Sequence, residues 1–199
     1  ERLQEMAAEN SARERHLAYF IRFAEQADDA CHGPDQAEWF DRVETEYDNW
    51  LAALEWSVSQ ADPQAAMRLL NALAWPWIVR AHFRELHFWF EKILLLPGVK
   101  THSMLYARML NHMAIRSELL SDFADELSLA EESQSIWLQL GPSGESGLAE
   151  TFIRFGLIIL ISQRDAVRAE VYFKKSVDLY QHANHKLGLA NAYFVLSLC

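Results

Sequence analysis

A pattern of apolar and small residues recurs along the back two-thirds of the chain at a spacing of about forty residues, and it limits the fold more than any single side chain does. Arg68-Leu69-Leu70-Asn71-Ala72-Leu73-Ala74 aligns with Arg108-Met109-Leu110-Asn111-His112-Met113-Ala114, and both align with Glu150-Thr151-Phe152-Ile153-Arg154-Phe155-Gly156. The third copy keeps the apolar spacing and the small last residue but lacks the Arg-x-x-Asn pair. A repeat of this size cannot bury its apolar face alone, so successive copies must stack. Such chains are usually binding scaffolds rather than catalysts.

Within and between the copies the apolar residues follow the 3.6-residue period, strand-like alternation is absent, and Gly and Pro fall mainly at punctuation. The chain therefore reads as all-α, an α-solenoid of stacked helix pairs. The first helix is expected from about Ser11 to Ala30, broken by Cys31-His32-Gly33-Pro34-Asp35. Gln36 to Gln60 carries a wide apolar face and splits near Tyr47-Asp48-Asn49, where Asp48 or Asn49 would cap a second helix. Asp62-Pro63 is a strong helix start. The helix after it holds an internal Pro76, which predicts a kink or break around Ala72 to Trp75. Partner helices follow at Phe83 to Leu96, His102 to Leu120, Phe123 to Leu140, Ser146 to Ser162, Asp165 to His182 and from about Leu187. This divides the chain into a helical junction over 1–60 and repeats over about 61–100, 101–144 and 145–185, with a truncated stub over 186–199. Both ends read as cut, within a charged helix at Glu1-Arg2-Leu3 and within a repeat at Leu198-Cys199, so a fragment of a longer protein is expected.

About half of the residues are apolar and seven are tryptophan, enough for a continuous core. The formal charge of −10 is uneven: fourteen acids face five bases over 1–60, three face five over 61–100, seven face two over 101–146, and four face six over 147–199. No stretch has the basic excess that phosphate neutralisation requires, so direct nucleic-acid binding by this segment is not expected. The alternating blocks suit association between neighbours, and suit a solvated helical surface equally well. Two cysteines, Cys31 and Cys199, are too few for a disulfide framework and fit a reducing cytoplasm. No segment approaches the roughly 20 apolar residues that span a bilayer.

The helix pairs resemble the tetratricopeptide pattern, with a small residue mid-way along the first helix and small and aromatic residues along the second. Ala74, Phe83, Phe90 and Pro97 match it in the first pair; Ala114, Phe123 and Ser133 in the second, where Glu126 and Ala130 depart from it; and Gly156, Ala169, Phe173 and Ser176 in the third. The front third is similar to the junction of bacterial STAND-class signalling ATPases. The residues that carry this are Arg15-His16-Leu17-Ala18-Tyr19-Phe20, Gly33-Pro34-Asp35-Gln36-Ala37-Glu38-Trp39-Phe40-Asp41-Arg42-Val43-Glu44, Tyr47-Asp48-Asn49 and Ala52-Ala53-Leu54-Glu55-Trp56. The resemblance implies a sensor array that follows a nucleotide-binding domain and a winged helix, in regulators that often carry a LuxR-type helix-turn-helix. This chain has no Gly-x-x-x-x-Gly-Lys-Ser/Thr loop, and its seven glycines form no other phosphate cradle.

The tetratricopeptide resemblance implies a right-handed superhelix of antiparallel helix pairs and places the first helices along its concave groove. Its lining would be Arg68, Asn71 and Trp75; Arg108, Asn111, His112, Ile115 and Glu118; Glu150, Ile153, Arg154 and Leu157; and Asn191 with Phe194. The repeated Arg-x-x-Asn would present a cation and an amide one turn apart, suited to a peptide backbone or a carboxylate. The alternative is that the asparagines bond neighbouring helix backbones while the arginines stay solvated. Trp75, Trp77, Phe88, Trp89 and Phe90 either pack on the preceding helical layer or form a patch for a partner or for self-association. Phe155 to Ile161 is apolar all round and implies burial on several sides. His182 and His185 have a spacing metals can use, but no Cys or carboxylate converges on them in sequence. No catalytic constellation stands out, and neither a cofactor nor a metal is expected. Two functions fit: a non-catalytic sensor scaffold of a cytoplasmic signalling ATPase and transcriptional regulator, taking a protein, a peptide or a small inducer, or a stand-alone adaptor for protein assembly.

Overall fold

The structure is a computed structural model that describes residues 2–119 and 123–199, with side chains except those of 2, 3, 116–119, 123 and 124. The described residues are helical and contain no strand. In order they form α1 (Arg2–Ala30), α2 (Gln36–Thr45), α3 (Tyr47–Ser59), α4 (Pro63–Val79), α5 (Phe83–Leu94), α6 (Ser103–Leu119), α7 (Phe123–Leu140), α8 (Glu145–Ile158), α9 (Ala166–His182) and α10 (Lys186–Leu196). The starts of α4, α6, α8 and α10 carry the period seen in the sequence. Two compact units, Glu1–Leu105 and Tyr106–Cys199, divide the chain, and the division falls inside α6.

In the first unit α1 packs on α3 and α4, α4 packs on α5, and α2 lies against α1 and α4. The core is aromatic. Trp50 is fully buried, meets Phe20 edge-on at 4.7 Å and Phe23 at 5.1 Å, and its indole N–H donates to the Val43 carbonyl at 2.8 Å, which fixes the end of α2. Trp77, Trp89 and Phe90 are buried, Trp75 is half-buried and Phe88 is exposed, so the aromatic block is largely core. Residues 1–60 and the first repeat share this unit.

Three local expectations are corrected. Helix α1 begins at Arg2 rather than Ser11: residues 2–9 are mostly good helix formers, and the exposed residues 4–10 extend the helix without a core contact. Helix α4 runs unbroken through Pro76 to Val79. Burial of Met67, Leu69 to Ala74, Trp77 and Ile78 holds it, although Pro76 cannot donate to the Ala72 carbonyl one turn back. Neither Asp48 nor Asn49 caps α3; the break falls at Glu46, whose carboxylate accepts from the Asn49 amide at 2.7 Å.

In the second unit α8 packs on α7 and α9, and α9 on α10. Each seam closes where a ring lies on a glycine: Trp137 on Gly147, Phe173 on Gly156, and Tyr180 on Gly188. A Cβ at any of the three would overlap the ring, so these glycines set the close approach of the helices. The Phe123 side chain, expected as a turn aromatic, lies outside the described residues. Of the apolar run, Phe155, Ile158 and Ile159 are buried, Leu157 and Leu160 are half-buried, and Ile161 is exposed.

Four helix junctions share one turn. Ala61, Ala81, Arg164 and Asn184 take positive φ, and each is followed by the N-cap residue of the next helix. Asp62, Asp165 and His185 each accept from the backbone N–H three residues on, at 2.9, 3.0 and 2.9 Å. His185 is thereby a cap. In three turns a bond reaches back five residues, from Asp62 to Ser57, from His82 to Trp77 and from His185 to Tyr180, which is the closure of a Schellman motif. The fourth, from Asp165 to Ile159, reaches back six, because Ile159–Gln163 forms a π-helical turn.

Candidate functional site

In the first unit the proposed groove residues have separate fates. Arg68 is half-buried, and its guanidinium pairs with Glu25 of α1 at 2.6 Å. Trp75 is half-buried under the His32 ring, which stacks on it at 5.7 Å. Asn71 is only 2% exposed, and its amide donates to the Leu105 carbonyl at 2.9 Å. A hollow of about 280 Å³ opens beside Arg68, floored by Leu17, Ala18, Ile21 and Ala65, with Glu14 and Gln64 at its rim. It can take an apolar side chain with polar contacts around it.

In the second unit the groove expectation for Asn111 is likewise corrected. Asn111 is 0% exposed. Its Oδ1 accepts from Ser133 Oγ at 2.8 Å and from Thr151 Oγ1 at 2.9 Å, while its Nδ2 donates to the Gly147 carbonyl at 3.3 Å. One amide thus joins α6, α7 and α8. The physical reason is that a buried amide without partners is destabilising, so it turns to the nearest backbone and hydroxyls rather than to solvent. Both echoed asparagines donate to the backbone near the start of the next first helix. The sequence held a signal for this: Thr151 brings a hydroxyl to the position where the other copies carry Leu69 and Met109.

His112, Ile153 and Arg154 are also buried, so they do not front an open groove. Arg154 and Glu150 both act on Tyr180, whose phenol is pushed up chiefly by burial and then by Glu150, with Arg154 opposing. Arg108, Ile115, Glu150 and Leu157 are half-buried, whereas Asn191 and Phe194 are exposed, Phe194 by 64%. The Glu118 side chain lies outside the described residues. Cys31 is buried, and burial together with Asp28 pushes its thiol to about 11, which leaves it protonated and a poor nucleophile near neutral pH. Among the described residues no group of three His, Cys, Asp or Glu could hold a metal ion, and no helix is long and apolar enough to cross a membrane.

No protein-family model matches the chain. Candidate HTH-type transcriptional regulators of Mycobacterium tuberculosis and Mycobacterium bovis are 29% identical to it over 134 residues, covering 67% of this chain. The chain spans only 13% of the length of these relatives in that match. The crystal structure of BtubC (BKLC) from P. vanneervenii superposes with a TM-score of 0.59 at 19% identity, over 93% of this chain and 82% of that one. The chain has an all-α fold and is similar to part of transcriptional regulators.

Proposed function

We propose that this chain is a non-catalytic binding arm of a transcriptional regulator, built as a tetratricopeptide-type solenoid that takes a protein or peptide segment. The observation that carries the reading is the similarity to a short part of much longer regulators, joined to a fold of stacked helix pairs. That similarity favours a regulator arm over a stand-alone adaptor. Nucleotide hydrolysis and DNA reading would then belong to other parts of the regulator, and ligand binding here would bias their equilibrium between resting and active states. In the first unit the hollow beside Arg68 is the contact point: Leu17 and Ile21 receive an apolar side chain, and Arg68 meets a carboxylate or a backbone carbonyl.

A peptide array probed with the purified chain tests this. Retained peptides should carry an apolar residue next to an acidic one, and Arg68→Glu should weaken them about tenfold, equivalent to about 1.4 kcal/mol. The variant should fold, since the Arg68–Glu25 pair is partly solvated and contributes little to stability. Binding that is indifferent to Arg68→Glu, or an array with no retained peptide, removes the hollow as the contact point.

A further inference from the structure

Another hollow opens in the first unit between α1 and α3. Ala12 and His16 of α1 face Ala52 and Trp56 of α3, each pair one helical turn apart, and Arg13 completes the wall. Both alanines are exposed, and the hollow exists because two methyl groups stand where longer side chains would close the seam. Its volume is about 420 Å³, within the range of about 300–1,000 Å³ typical of small-ligand sites. The Arg13 guanidinium carbon lies 5.2 Å from the centroid of the Trp56 ring, and its Nη2 is 2.7 Å from Glu9 Oε1. His16 Nε2 stands 3.4 Å from Asn49 Oδ1, with its ring 4.5 Å from that of Phe20. The site therefore combines an indole, a methyl-lined floor, and at the mouth a cation held by an exposed carboxylate.

We propose that this hollow binds a small aromatic carboxylic acid, with its ring against Trp56 and Ala52 and its carboxylate on Arg13 in place of Glu9. The guanidinium fork suits a carboxylate, and a pair between exposed residues one turn apart is readily exchanged. A sugar or nucleotide gains less here, because Ala12 and Ala52 offer its hydroxyls no hydrogen bond beyond those they already make with water. Arg13 and His16 line a different hollow from Leu17, Ile21 and Arg68, so this proposal stands or falls apart from the peptide reading.

Isothermal titration calorimetry of the whole chain with indole-3-acetate tests it. Saturable binding in the millimolar range or tighter is expected, with the uncharged indole-3-acetamide about tenfold weaker and Arg13→Gln weakening the acid by a similar factor. Ala52→Leu, at an exposed position, should abolish binding while leaving the thermal melt unchanged, and Arg68→Glu should leave it intact. The proposal is overturned by an absence of saturable heat up to about 10 mM, by equal binding of acid and amide, by binding that survives Ala52→Leu, or by loss of binding in Arg68→Glu.

Discussion

Asn111 shows how one residue type in one repeat position can be read two ways. As an exposed amide one turn from Arg108 it would suit a ligand, and as a buried one it can join three helices. Packing chooses the second; of its partners, Ser133 was legible only as the small residue of a helix pair, and Thr151 only as a hydroxyl at an otherwise apolar repeat position. Asn71 occupies the same place in the first copy, but no donor among the described residues meets its Oδ1. The two should therefore differ when truncated. Asn111→Ala, which loses the amide bonds and leaves a gap, should destabilise by about 2–3 kcal/mol. Asn71→Ala, which also removes an unsatisfied buried carbonyl, should destabilise by only about 1 kcal/mol. Urea unfolding of both variants measures the difference, and equal losses would deny the Asn111 network its role.

The helices themselves were largely legible, because an apolar stripe with period 3.6, a start such as Asp62-Pro63 and a break such as Gly33-Pro34-Asp35 mark them directly. Their junctions were not. Ala61 and Ala81 give no sign of a left-handed turn, since the conformation is imposed by the bond that closes the turn and, after Ala61 only, by the Asp62 cap. A non-glycine residue there is strained by roughly 1–2 kcal/mol, while glycine adds roughly 0.4–1 kcal/mol of freedom to the unfolded chain. Ala81→Gly should therefore stabilise the chain by about 0.5–1 kcal/mol. A lower thermal midpoint in this variant would mean that the alanine methyl makes contacts that outweigh its strain. Pro76 makes the converse point, since local chemistry predicted a kink or a break, and with burial around α4 the helix stays continuous.

For the molecule as a whole, the fold class followed from periodicity, whereas the binding surface did not. Residues facing a groove and residues facing the next helix recur at the same spacing, and only the packed neighbours separate them. Net charge does act at this scale. At −10, and without a basic block, the chain should not retard duplex DNA in a gel shift at about 0.15 M salt. Retardation there would count against the proposed binding role and point to DNA contact instead. The π-helical turn at Ile159–Gln163 bears on how such an array tolerates changes in length. With the extra residue in place, the junction to α9 still has its positive-φ residue and its Asp165 cap, so the added length is taken up by widening the end of α8. An insertion just ahead of one of the other turns could be absorbed in the same way. One placed within the turn itself would rotate the following helix by about 100° and carry its apolar stripe off the seam.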